Sequence, residues 1–366
     1  MTTPIAALDP PWALPGARVA IMGPHLPLPI EGPPHVLIGG LDARVVGATP
    51  RSIRVTVPLD SPGGTLAVRI DELPGEIPPL QVGRVLATGL HQVDSPAFDA
   101  QGRLYVTQSG ARDTKSPIPL YRMGADAVRE PLAIDVGNPT SIALGPDGLM
   151  YISSRFDGKV HRLTADDRVE LYVTEVGVPT GLAFAPDGTL FIGDRTGSIL
   201  RVSPDRQVDT FASLPPSVAA FHLAYGPDRC LYVAAPTLST HDALYRISPD
   251  RLVDVVCQDF GRPQGLAFDS TGTLFIVDAV AGGAGLYRVD VTAAHPKPVR
   301  VASAVALIGV AIDPAGGLML ASNDTVWKLD VDVWPANVQS SNFKLQTPEF
   351  YASRSSFSSG IPRFEV

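Results

Sequence analysis

From residue 83 to residue 330, short apolar runs alternate with clusters of Pro, Asp and Gly, and one pattern recurs: SPAFDAQGRLYVTQS (95–109), TSIALGPDGLMYISSR (140–155), TGLAFAPDGTLFIGDR (180–195), FHLAYGPDRCLYVAAP (221–236), QGLAFDSTGTLFIVDA (264–279) and IGVAIDPAGGLMLASN (308–323). Each copy reads as two apolar strands folded over a tight turn. The turn position falls at Gly102, Gly148, Gly188, Arg229, Gly272 and Gly316, with spacings of 40 to 46 residues. Two further strand-like runs follow each copy, as in SILRVSPDRQVDTFA. Four antiparallel strands per repeat and six repeats predict an all-β chain, a six-bladed β-propeller that needs no helix.

The ends of the repeat region predict how the ring closes. GRVLATGL (83–90) matches the fourth strand of a unit that lacks its first three, and the last unit has only three strands. Residues 83–88 are therefore expected to complete the last blade and remove an open edge. Residues 1–72 lack the repeat and hold five short strand candidates, ARVAIMG, HVLIGG, ARVVGA, SIRVTVP and TLAVRI, at the turn spacing of a small Ig-like β-sandwich. The Pro-rich stretch 73–82 is expected to be a semi-rigid linker, and 331–366 a C-terminal tail outside the ring.

Composition narrows the partners. The 366 residues are 45% hydrophobic, enough for real cores, and the formal charge of −8 with no long basic run sets nucleic acid aside. No stretch reaches the roughly 18 apolar residues of a membrane span, and the start shows no apolar signal segment, so the default expectation is a soluble, cytoplasmic chain. Cys230 and Cys257 are too few for a disulfide framework or a four-ligand zinc site; they belong to different strands of one blade and are expected to be buried free thiols.

Two resemblances follow from these segments. The order LDPPWALPGARVAIMG, VLIGGLDARVVGATPRSIRVTVP and GGTLAVRI resembles the IPT/TIG group of immunoglobulin-like domains, which implies an accessory module. The signature around Pro179–Asp194 and Pro263–Asp278 resembles six-bladed propellers of the SMP-30/gluconolactonase-like and NHL-repeat group. In the gluconolactonase-like enzymes a divalent cation sits at the channel mouth. The resemblance puts Asp94 on the acidic ligand position, Thr140 and Thr180 where those enzymes have Asn, and Phe221 where they have an essential Asp. One carboxylate, two hydroxyls and a phenyl ring make a poor cage for Ca, Mg or Zn.

The same alignment predicts two rings of residues on one face of the propeller. Asp94, Thr140, Thr180, Phe221, Gln264 and Ile308 begin the innermost strands; Asp194 and Asp278 end second strands, with Arg155 and Arg195 following in adjacent blades. Those carboxylates suit either ligand contact or acceptance of loop amides, and the arginines suit a carboxylate or phosphate. His222 stands in a column otherwise held by Ser95, Ser141, Gly181, Gly265 and Gly309, so a large ring must fit where small residues let strands converge. It is the candidate proton acceptor, or else a space-filler. The leading expectation is a binding propeller that recognises a small molecule or a protein at its mouth through Thr140, Thr180, Gln264, Arg155, Arg195 and Asp278. The alternative is a metal-dependent hydrolase of lactones or esters with Asp94, and Asp194 beside it, on the cation.

Overall fold

The computed structural model describes residues 6–71, 73, 77–110 and 115–330. The expected tail at 331–366, part of the expected linker and part of the loop after the first hairpin lie outside the described residues. Every regular element among the described residues is a β-strand.

Five successive repeats form antiparallel sheets in simple sequence order. They begin with the innermost strands Ala97–Phe98, Pro139–Leu144, Pro179–Phe184, His222–Tyr225 and Pro263–Phe268, numbered here as sheets one to five. Sheet six contains Leu307–Ile312, Leu318–Ser322 and Val326–Leu329, and its fourth strand is Arg84–Ala87 from the start of the repeat region, paired antiparallel through Arg84↔Lys328 and Val85↔Trp327. Each innermost strand packs against that of the next sheet, and Ala97–Phe98 touches both Pro139–Leu144 and Leu307–Ile312, so the cycle is closed. Closure by a strand from the other end of the repeats leaves sheet six no open ladder at that junction.

Local chemistry explains the hairpins. Gly102, Gly148, Gly188, Gly272 and Gly316 take φ of +75° to +91°, and the turn aspartates Asp99, Asp147, Asp187, Asp269 and Asp313 each accept amides of residues two or four further on. Such a turn asks for a residue tolerant of the left-handed region and an acceptor before it. Arg229 meets the same demand at φ 65° without being glycine. Apolar clusters then fill the gaps between sheets, with Phe191, Phe211 and Phe221 between three and four, and Tyr232, Phe260 and Leu266 between four and five. On the outer faces, third-strand arginines stand opposite fourth-strand acids: Arg122 with Glu130, Arg162 with Glu170, Arg201 with Asp209 and Arg246 with Asp254, at 2.7 to 3.1 Å. Arg122 also reaches Asp167 of sheet two at 2.8 Å, and Arg251 of sheet four reaches Asp209 of sheet three at 2.7 Å.

The N-terminal segment forms one four-stranded and one three-stranded sheet around Val19, Ile21, Val36, Ile38, Ile53 and Val55. It is stitched to sheet five: Val299–Ser303 pairs in parallel with Trp12–Ala13, which pairs in parallel with Leu80–Val82, which pairs antiparallel with Gly64–Leu66. The stretch expected as a linker thus contributes a strand. Leu80 and Val82 point the same way and are buried, an alternation that gives the segment an apolar face. At the start of the three-stranded sheet, His35 holds Asp71 and Asp42 on its two ring nitrogens at 2.7 Å each.

Two outcomes follow. The hydrogen bonds to Asp42 and then Asp71 raise the His35 pKa above its ordinary value. Its stabilising contribution is therefore complete below about pH 6.5 and lost as the pH rises through the higher folded-state value. Thermal midpoints of the native chain and His35→Asn should differ most near about pH 5.5 and converge at alkaline pH; parallel curves would contradict this. At Gly309 a Cβ would lie 2.5 Å from the Ser95 Cα. Gly309→Ala should cost about 1–3 kcal/mol in urea unfolding.

Candidate functional site

The site grows out of a shortage of space. Where the inner strands converge, Gly265 has no room for a side chain: a Cβ would sit 2.3 Å from Ser95 Oγ and 2.7 Å from Gly309 Cα. Small residues fill this column, except at His222 in sheet four. Its ring extends to the opposite sheet of the cycle, where Nδ1 lies 2.5 Å from Asp94 Oδ1, while Nε2 lies 2.9 Å from Gln264 Oε1 of sheet five. Asp94 Oδ1 also accepts the Ser95 amide at 2.6 Å. All three side chains are buried, with His222 at 1%, Gln264 at 5% and Asp94 at 7% exposure. A buried imidazole between two oxygen acceptors is held in one orientation, because losing either partner would leave a desolvated polar group unpaired.

The structure brings Asp94, His222 and Gln264 together and leaves the other expected residues outside that network. Thr180 Oγ1 donates to Gly193 O at 3.2 Å and accepts the Phe221 amide of the next sheet at 3.0 Å. Ser141 Oγ accepts Leu182 N at 3.1 Å, and Ser95 Oγ accepts Val310 N at 3.3 Å. These hydroxyls clip neighbouring sheets; the recurrence of Ser or Thr at the starts of inner strands is the sequence signal for that role. Thr140 Oγ1 is buried without a partner among the described residues. Asp194 accepts Val178 N at 2.8 Å and the amide and hydroxyl of Thr196. Asp278 accepts Gly261 N, Arg262 N and Val280 N at 2.8 to 3.0 Å. Both carboxylates anchor loops. Arg195 donates to Val218 O at 3.2 Å, and the Arg155 guanidinium lies 5.3 Å from the Phe156 ring centroid.

A cavity of about 200 Å³ runs along the inner strands, with Asp94 and His222 among its walls together with Ser95, Ser141, Leu182 and Leu223. Neither Arg155, Arg195, Asp194 nor Asp278 lines it. Several of its partly exposed lining residues, Ala97, Phe98, Ala267 and Ile312, lie toward the hairpin-turn ends of the inner strands. At the opposite end Thr140, Thr180, Phe221 and Gln264 are all buried. The end expected as the mouth beside Asp94 is thus lined mostly by buried side chains, with Ile308 partly exposed.

The donor set does not suit a cation. Among the described residues no three His, Cys, Asp or Glu side chains gather at metal-binding distance, and Asp94 and Asp194 belong to separate networks. One carboxylate already shared with an imidazole does not fit a hard divalent ion. Cys230 and Cys257 are buried and unpaired, and burial pushes both thiols up to about 11, which makes them poor nucleophiles.

No family model matches the chain, and no curated protein matches it. Solved structures share its fold. A gluconolactonase from Xanthomonas campestris is 17% identical, covers 68% of this chain with 89% of its own, and has a TM-score of 0.53. Auxiliary nutrient binding proteins from Bacteroides thetaiotaomicron and Bacteroides ovatus are each 13% identical, with TM-scores of 0.52 and 0.51; they cover 89% and 90% of this chain with 98% of their own. At such identities the likeness shows the fold, an all-β propeller-like chain, and nothing of chemistry.

The transaxial bridge makes a quantitative prediction. Asp94→Ala should cost about 3 kcal/mol, since it strips a buried ring of its partner. In a double-mutant cycle with His222→Ala, urea unfolding should give a coupling of about 1–3 kcal/mol. Additive effects would mean that the two side chains do not stabilise each other.

Proposed function

We propose that this chain is a small-molecule binding protein: a six-bladed β-propeller of the SMP-30/gluconolactonase-like and NHL-repeat group (83–330), joined through residues 73–82 to an IPT/TIG-type Ig-like module (1–72) and followed by a tail (331–366). The observation that carries the reading is that Asp94 and His222 hold each other at 2.5 Å, so that neither a free base nor a cation cage remains, while a cavity of about 200 Å³ stays beside them. At the end of the inner strands where a gluconolactonase-type metal would sit, Asp94 alone keeps an acidic ligand position, and Thr140, Thr180 and Phe221 stand in the other places. Leu182, Leu223, Leu266 and Val310 offer apolar walls, and Asp94 with Ser95 offers a polar end. A compact molecule with an apolar body and one hydrogen-bonding end suits it, whereas a protein segment does not fit that volume. The name of the Bacteroides nutrient binding proteins is in keeping with a binding role.

A second reading has one observation in its favour. A carboxylate that orients an imidazole is half of a general-base device, and this pair lines the cavity. As a hydrolase of lactones or related esters, the chain would use His222 Nε2, released from Gln264, to take a proton from water while Asp94 holds Nδ1. No metal step is part of it.

Calorimetric titration with a panel of small amphiphilic metabolites, beside a lactone and aryl-ester panel with and without EDTA, separates the two. Binding without turnover, lost in the cavity-blocking Ala267→Trp, is expected. Turnover that disappears in His222→Ala would replace the binding reading by the enzymatic one, and neither binding nor turnover would end both.

A further inference from the structure

A second cavity lies away from the axis. It measures about 270 Å³ and is bounded by Leu14 and Pro15 of the N-terminal segment, Val305 and Ala306 on the connection between sheets five and six, and Ser322, Asn323, Asp324 and Trp327 of sheet six. From this geometry we infer a binding site for a single neutral sugar ring, stacked on the Trp327 indole and held at its edge by Asn323 and Asp324.

Trp327 is half-buried, its strand is paired on both sides, and its indole N–H has no partner among the described residues. An indole offers a rigid apolar face with one polar handle, and the C–H face of a pyranose matches it. The polar rim is fixed before any ligand arrives. Ser322 Oγ accepts Asp324 N and Thr325 N at 3.3 and 3.0 Å, Asn323 Nδ2 donates to Gln92 O at 2.8 Å, and Asp324 Oδ2 accepts the Thr325 hydroxyl at 2.8 Å. Asn323 Oδ1 and Asp324 Oδ1 have no partner among the described residues and remain as acceptors on exposed side chains. Two fixed acceptors beside an aromatic face suit adjacent ring hydroxyls. Holding them in place in advance lowers the ordering cost of binding.

The lining also excludes other ligand classes. It contains a carboxylate and no Lys, Arg or His, so an anion would be repelled. It contains one aromatic ring, whereas capture of a quaternary ammonium uses a cage of several. The volume holds one ring and not a chain of them.

The test uses the full chain with methyl β-D-glucopyranoside, methyl β-D-galactopyranoside and methyl α-D-mannopyranoside as probes, and choline and acetate as controls, read by saturation-transfer NMR and calorimetry. At least one pyranoside should bind saturably with a Kd of about 1 mM, with transfer strongest to its C–H protons. Asn323→Ala and Asp324→Ala lie on an exposed turn and should each weaken binding about tenfold or more. Trp327→Phe should weaken it less, and Ala267→Trp should leave it unchanged, which separates this site from the axial cavity. The inference is overturned if no pyranoside binds below about 50 mM, if choline binds more tightly than any of them, or if both rim variants bind as the native chain does.

Discussion

Six innermost strands converge on one line, and the volume available there governs everything built around it. At Gly265 and Gly309 the approach is so close that a methyl group would meet Ser95 of another sheet at 2.3 and 2.5 Å. One position of the column is large, and its side chain reaches toward the room that is left. His222 does so by extending to Asp94 in the opposite sheet and Gln264 in the next. The bond is simultaneously a packing solution, since it fills the axis, and a polar one, since it pairs groups that would be costly to bury alone.

Away from the axis the same ring is secured twice more. The hydroxyls of Ser95, Ser141 and Thr180 accept backbone amides of neighbouring sheets, so the inner layer is a chain of short polar links. On the outside, arginines cross from third to fourth strands and in two places from sheet to sheet. Exposed pairs of this kind contribute little singly, about 0–1 kcal/mol, yet Arg122 is largely buried and holds two acids at once. The acids and the neighbouring tyrosine raise its pKa further above the usual arginine range, so its charge is constant at any working pH. The ladder therefore acts on register more than on net stability: shifting a strand by one residue would turn every arginine to the other face.

Much of this architecture is legible in the sequence because the hairpin is a packing unit, and packing units must repeat. The turn glycines and aspartates, the apolar strand runs and the small-residue column all recur at the blade spacing. The arginine ladder is legible too, as an aliphatic residue two places before the arginine in LYRM, VHRL, ILRV and LYRI, with an acid eight residues beyond each arginine. The site is legible only as an anomaly. His222 stands out by size, but its partners lie 128 and 42 residues away, and nothing local announces them. Residues at the ends of the second strands look like ligands because they are polar and recurrent. Asp194 and Asp278 are recurrent for another reason, the need to hold the loops that return to the inner strand. Leu80 and Val82 show the converse error, in which a Pro-rich neighbourhood hides a strand whose partners are distant in sequence.

The two cavities illustrate why recurrence and function separate in a repeat fold. A feature present in every repeat answers a demand that every repeat shares, and such demands are about closing a ring. A binding site needs asymmetry, so it arises where one repeat departs from the rest. The axial cavity owes its polar wall to His222, the one large residue in a column otherwise held by Ser95, Ser141, Gly181, Gly265 and Gly309. The outer cavity owes its walls to sheet six, the one closed by a borrowed strand, and to Leu14, which occupies the space that Gly83 leaves beside Trp327. Both departures sit where the cycle would otherwise be regular, and each converts a packing irregularity into a concave surface with a few fixed polar groups. In this chain the information about chemistry therefore lies in the residues that break the pattern, and the pattern supplies the rigidity that makes those breaks usable.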